Sequence, residues 1–128
     1  MKSNFDFLAK RFPEFAKIAL EAEKYLKSDP NTSMYKSRLL VEEFVKLKLP
    51  RSTKVKLKNK GKILKRTFTT FPISEFNLIV NNGNSAVHNN SRSYRKAKES
   101  LNNMIPLIAW FYEQITGHML ILIKVRSY

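Results

Sequence analysis

Ten of the 21 residues from Lys46 to Arg66 are lysine or arginine and none is acidic. A run of that kind does the chemistry of polyanion neutralisation, since each ammonium that meets a phosphate releases condensed counterions from a nucleic acid. Lys54, Lys56, Lys58, Lys60, Lys62, Lys65 and Arg66 are the candidate phosphate contacts. Lysine on a flexible segment has no rigid fork with which to read base edges, so the expected binding is blind to sequence.

The other candidate constellations are weaker. Glu42 and Glu43 are adjacent, so on a helix they point in different directions and cannot work as an acid and base pair. His88 and His118 have no cysteine and few acids around them, and they make no metal site. Trp110-Phe111-Tyr112 offers aromatic faces for stacking bases, but Tyr112 falls on an apolar helical stripe and Trp110 is expected to pack against another helix. The absence of cysteine excludes a disulfide framework, an iron–sulfur cluster and a thiol nucleophile, and it favours a cytoplasmic setting. The length suits one domain with one core.

The elements that would position these residues are helical. Ser3 and Asp6 have the spacing of a capping box for a short helix carrying Phe5, Leu8 and Phe12. Pro13 suits the first turn of a second helix, whose Phe15, Ile18, Ala19, Ala22 and Leu26 form one apolar stripe. Asp29 and Pro30 are placed to cap and open a third, with Met34, Arg38, Val41 and Val45 on one face and Leu40, Phe44 and Leu47 on the next. Pro72 opens a fourth with Ile73, Phe76, Ile79 and Val80 together, which Asn81-Asn82-Gly83-Asn84 is expected to break or bend. A long final helix from about Ser91 to Thr116 is expected to kink at Pro106 and to end at Gly117. Trp110, Phe15 and Phe44 are expected in the same core.

Between the third and fourth helices, Pro50 and Gly61 punctuate the basic run and no apolar stripe is evident, so residues 46–66 read as a mobile connection with at most a turn of helix. Charge divides accordingly. Residues 1–43 hold 8 basic and 7 acidic side chains, whereas residues 44–128 hold 16 and 3, which accounts for nearly all of the net +14. The longest apolar run, Met119 to Ile123, is far short of the ~18 residues a membrane span requires. The domain is expected over residues 1–117, followed by a short tail, 118–128.

Two blocks carry a resemblance. The first is Asn4-Phe5-Asp6-Phe7-Leu8 through Phe12-Pro13-Glu14-Phe15, continued by Ala22-Glu23-Lys24-Tyr25-Leu26 and Ser28-Asp29-Pro30-Asn31. The second is Gly83-Asn84-Ser85-Ala86-Val87-His88 with Ile108-Ala109-Trp110-Phe111-Tyr112. Together they resemble the N-terminal helical domain of type I restriction enzyme R subunits, a HEPN-like domain, with Gly83, Asn84, Ala86, Val87 and His88 matching its Gly-Asn-x-Ala-Val-His motif. The likeness spans about residues 3–48 and 73–116. It implies a truncated or stand-alone relative without the nuclease and ATPase motifs of the full subunits, since neither a Pro-Asp…Asp/Glu-x-Lys site nor a phosphate loop occurs here.

The HEPN connection also implies a second function class, metal-independent RNA cleavage with His88 as base, because an imidazole titrates near pH 6.5. The arginine that should precede it is missing: no arginine lies between Thr67 and Asn90, although Arg92 and Arg95 follow. A structural histidine that caps or bridges helices, with Asn84 as a turn residue, is therefore the expectation. The chain is expected to fold as an all-α bundle of four or five helices without cofactor or metal. It is expected to act as a noncatalytic module that binds nucleic-acid phosphates or docks on restriction subunits or a helicase. The alternatives are a ribonuclease and a protein-binding domain such as a homodimer.

Overall fold

A computed structural model describes residues 3–120 and 125–128, so the Met119–Ile123 run lies largely outside the described residues. After a 3-10 turn at Asp6–Leu8 come five helices: α1 (Pro13–Lys24), α2 (Pro30–Lys48), α3 (Leu57–Thr67), α4 (Ile73–His88) and α5 (Tyr94–Thr116). The described residues contain no strand, and the all-α expectation holds. No described helix is long and apolar enough to cross a membrane.

Local chemistry sets most of the boundaries. Pro13 and Pro30 occupy first-turn positions, where a missing N–H costs nothing. Asp29 caps α2 by accepting from the Thr32 N–H (3.2 Å) and the Thr32 hydroxyl (2.6 Å), and these bonds hold its carboxyl below the ordinary value. Ser93 caps α5 through the Lys96 N–H, and Gly117 ends that helix with φ +73°, a conformation glycine adopts without penalty. Of the expected capping box, the Ser3 N–H does reach Asp6 Oδ2 (3.1 Å), but the Ser3 hydroxyl turns to Glu23 of α1 (2.5 Å).

The core sits where α2, α4 and α5 meet, with α1 laid against α2 and α3 against α4. Phe44 is fully buried there, stacked on Phe111 (5.4 Å) and met edge-on by Phe15 (4.7 Å) and Phe12 (5.5 Å). Trp110 continues the aromatic chain through Phe71 (5.0 Å), and its indole N–H donates to the Thr70 hydroxyl (2.9 Å). Of the three aromatics expected together, Phe44 and Trp110 are buried and Phe15 packs against the same core half-buried.

Two expectations need correction. First, α4 runs unbroken through Asn81-Asn82-Gly83-Asn84. Gly83 is there for contact with α2: a Cβ at this position would stand 2.5 Å from the Arg38 Cβ, so glycine lets the two helices approach closely. Asn82 does not make a turn but crosses to α5, donating to the Lys96 carbonyl and the Ser100 hydroxyl (both 3.1 Å). Asn84 is likewise helical, not a turn residue. Second, residues 46–66 are mostly not a connection, since α2 continues to Lys48 and α3 begins at Leu57. Leu57, Lys60, Gly61 and Leu64 recur at helical spacing on its inward side. Gly61 belongs to this face because the Phe76 ring fills the space a Cβ would need, with its Cδ2 only 2.6 Å from that position. The apolar stripe was hidden because one of its members has no side chain.

The last residues return to the start of the chain. Asn4 pairs with the Arg126 backbone through both amide atoms (2.7 and 3.0 Å), and Tyr128 donates its hydroxyl to Glu23. Burial, reinforced by that carboxylate, pushes the Tyr128 hydroxyl's pKa above its ordinary value, so the group stays a neutral donor.

Candidate nucleic-acid interface

Helix geometry sorts the basic residues by role. With Gly61 and Leu64 turned to α4, the residues at Lys58, Lys62 and Arg66 fall on the outer side of α3 and are exposed. Lys54 and Lys56 precede the helix and are exposed as well. None of these five forms an ion pair among the described residues, and no acidic residue occurs between Glu43 and Glu75. Five cations thus line one helix and its approach with no carboxylate among them.

Two of the seven candidates behave differently. Lys65 turns its ammonium onto the carbonyls of Thr69 (2.5 Å) and Phe71 (3.2 Å), where it stabilises the turn that leads from α3 into α4. It is a structural residue as much as an electrostatic one. Lys60 lies on the inward side and lines a cleft of about 550 Å³ formed by Phe15 of α1, the end of α2, the segment after it and α3. The α2 end adds Lys46, which is held by Glu43 (2.8 Å) so that its pKa is raised, and Lys48, whose ammonium lies 4.4 Å from the centre of the Phe68 ring. Spacing did not point to Lys48 because its partner is twenty residues away and aromatic.

The first turn of α3 has no acidic residue and no side-chain cap, and Lys56 occupies the cap position. Cations at the positive end of a helix dipole destabilise it slightly. That arrangement is a local cost that an anion arriving at this end would relieve.

The histidine motif has a different character. His88 is the exposed last residue of α4, and no hydrogen bond ties its imidazole to another described residue, so it neither caps nor bridges helices. Of the two arginines that follow it, Arg95 pairs with Glu99 (3.0 Å), while Arg92 is exposed and forms no ion pair among the described residues. Arg38, which packs on Gly83, lies 3.1 Å from Glu42 through Nε, in an ion pair without hydrogen-bond alignment. Arg38 and Arg95 are thus each held by a glutamate, and Arg92 is not. Ala86 is buried, and its carbonyl accepts from Asn31 (2.7 Å), whose amide also reaches the Ser91 carbonyl (2.8 Å). Val87 is exposed. The motif joins the end of α4 to α2 through Gly83 and Ala86, and it assembles no reacting group among the described residues.

Glu42 and Glu43 pair with different cations, Arg38 and Lys46, and so act as separate charges and not as a carboxylate pair. Among the described residues, no group of three or more His, Asp or Glu is placed to hold a metal ion. No protein family, curated protein or solved structure matches the chain.

Proposed function

We propose that this protein is a noncatalytic helical module that holds nucleic acid by its phosphate backbone, with the outer side of α3 as the contact surface. The observation that carries the reading is the composition of that surface. Lys58, Lys62 and Arg66 lie along it, Lys54 and Lys56 lead into it, and no carboxylate interrupts the chain from Phe44 to Ser74. A solvated helix face in an ordinary domain alternates sign, whereas one that tracks a polyanion carries a single sign. We further propose that the module docks in a restriction or helicase assembly, the setting expected from the sequence blocks at residues 3–48 and 73–116.

A salt series on labelled duplex tests it. Affinity should fall linearly on logarithmic axes, and replacing Lys54, Lys58, Lys62 and Arg66 with Gln should flatten the slope by about 0.7–0.9 for each phosphate no longer neutralised. Sequence should have little effect, because every contact is to the backbone. Binding that ignores both salt and the four substitutions would remove the proposal.

A further inference from the structure

The cleft between the end of α2 and α3 has features that a duplex phosphate track does not need. Phe15, Leu49 and Pro50 contribute apolar wall, and Lys46, Arg51 and Lys60 bring three cations to it. The cleft's one carboxylate, Glu43, is bound to Lys46. Arg51 and Lys60 have no carboxylate partner among the described residues, and Lys60 is the basic residue of α3 that turns inward while Lys58, Lys62 and Arg66 turn out.

Of the cleft's cations, Lys46 and Arg51 are exposed and Lys60 is half-buried, so Arg51 and Lys60 stand beside apolar wall and within reach of solvent. Apolar walls flanked by unpaired cations fit an anion with a flat organic part. At about 550 Å³ the cleft is in the size range of small-ligand sites and has room for a nucleotide. We infer that it receives an unstacked nucleotide, its base against the Phe15 side and its phosphate toward Arg51 and Lys60, so that the module prefers single-stranded to duplex nucleic acid.

The inference rests on the phosphate-binding reading of α3 and adds to it a strand preference. In a duplex the bases are stacked and paired, and none can enter. In a single strand each base is free to leave its neighbours at small cost, and contact with an apolar or aromatic wall repays it. The outer cations of α3 would then hold the flanking phosphates.

The test uses fluorescence anisotropy at one low salt concentration on the full chain. The probes are labelled oligothymidylate, oligouridylate, a duplex with the same number of phosphates, and an abasic strand of equal length. Oligothymidylate should bind about tenfold more tightly than both the duplex and the abasic strand. Oligouridylate tests whether a ribose strand is received as well, and binding by either pyrimidine strand supports the inference provided it exceeds duplex binding.

A charge-matched pair of variants locates the effect. Lys60→Gln and Lys58→Gln each remove one cation from the same helix, one inside the cleft and one outside. Lys60→Gln should erase most of the single-strand preference while duplex binding changes little, and Lys58→Gln should weaken both ligands alike. Thermal melting of each variant establishes that it is folded. Equal affinity of the wild type for single strand and duplex, or identical behaviour of the two variants, would overturn the cleft inference and leave phosphate binding standing. Failure to bind any probe would overturn both.

Discussion

The layer formed by α2, α4 and α5 differs from α3 in what holds it in place. In the layer, Phe44 of α2 stacks on Phe111 of α5, and Phe71, just before α4, meets Phe111 and its neighbour Trp110; all four are buried. In α3, only Gly61 and Leu64 are buried, and α4 is its main neighbour. The layer is held by burial of a large apolar area, while α3 is held by Leu64 and a close fit at Gly61 and carries charge on its outer side. The layer should thus tolerate changes of charge and fail on changes of volume. For α3, changes of volume should matter at Gly61 and changes of charge should alter binding without altering the fold.

The strongest way to break that contrast is Phe44→Ala. Removing a fully buried ring that meets three other aromatics should cost ~3–5 kcal/mol, a large share of the ~5–15 kcal/mol that a domain has in hand. Chemical denaturation should show it directly. An unchanged midpoint would mean that α2 does not pack on α5 through this ring.

Gly61→Ala is the corresponding change for α3. The added methyl would run into the Phe76 ring, whose Cδ2 stands 2.6 Å from its position, and the ring is itself buried. Overpacking of this sort typically costs ~1–3 kcal/mol, and it should loosen α3 before it unfolds the layer. Hydrogen exchange would report the difference as faster exchange confined to residues 57–67. Uniform acceleration through α4 and α5 would show instead that the two regions unfold as one.

Substituting Lys58, Lys62 and Arg66 with Gln inverts the test. These residues are exposed and form no ion pair among the described residues, so the melting temperature should stay within about a degree or two of wild type, while nucleic-acid affinity falls. Incubation of the protein with RNA in the absence of metal should leave the RNA intact, and His88→Ala should behave as wild type, because no arginine precedes it in the motif and Arg38 and Arg95 are each held by a glutamate. Cleavage abolished by His88→Ala would make the end of α4 a third, catalytic region.

The smallest expected effect is at Asp29. Its folded pKa is lowered by bonds to Thr32, so its contribution is present above the ordinary value of 3.8 and is lost as pH falls through the folded value below that. Asp29→Ala should lower the melting temperature modestly at neutral pH, and the gap from wild type should close in strong acid. A gap that persists unchanged there would assign the loss to something other than the cap.

Most of the layer was legible in the sequence because its signals are local. Pro13, Pro30 and Gly117 mark ends by their own backbone constraints, and the stripes of α1, α2 and α5 repeat with ordinary apolar residues. The missed element, α3, failed those tests for a physical reason. Its inward face contains a glycine and a lysine, so it looked unpatterned until Phe76 supplied the missing volume from another helix. Gly83 misled for the same reason: next to three asparagines it resembled a break, but the space above it belongs to Arg38. At the candidate site, the charge was visible and its division was not. That Lys65 holds a turn and Lys60 faces a cleft depends on which side of a helix each one occupies.

Trp110 is the chain's sole tryptophan, and its ring touches Phe68 (5.6 Å) and Phe71 (5.0 Å), on the segment that joins α3 to α4. Lys48 lies over the same Phe68. The molecule therefore carries an intrinsic optical probe at the seam between its two regions. Its emission should shift to longer wavelength when α3 lifts away, even while far-ultraviolet dichroism still shows a helical protein. A polyanion that draws the Lys48 ammonium off the Phe68 ring would register in the same signal, so binding at the charged surface can be followed without attaching a dye.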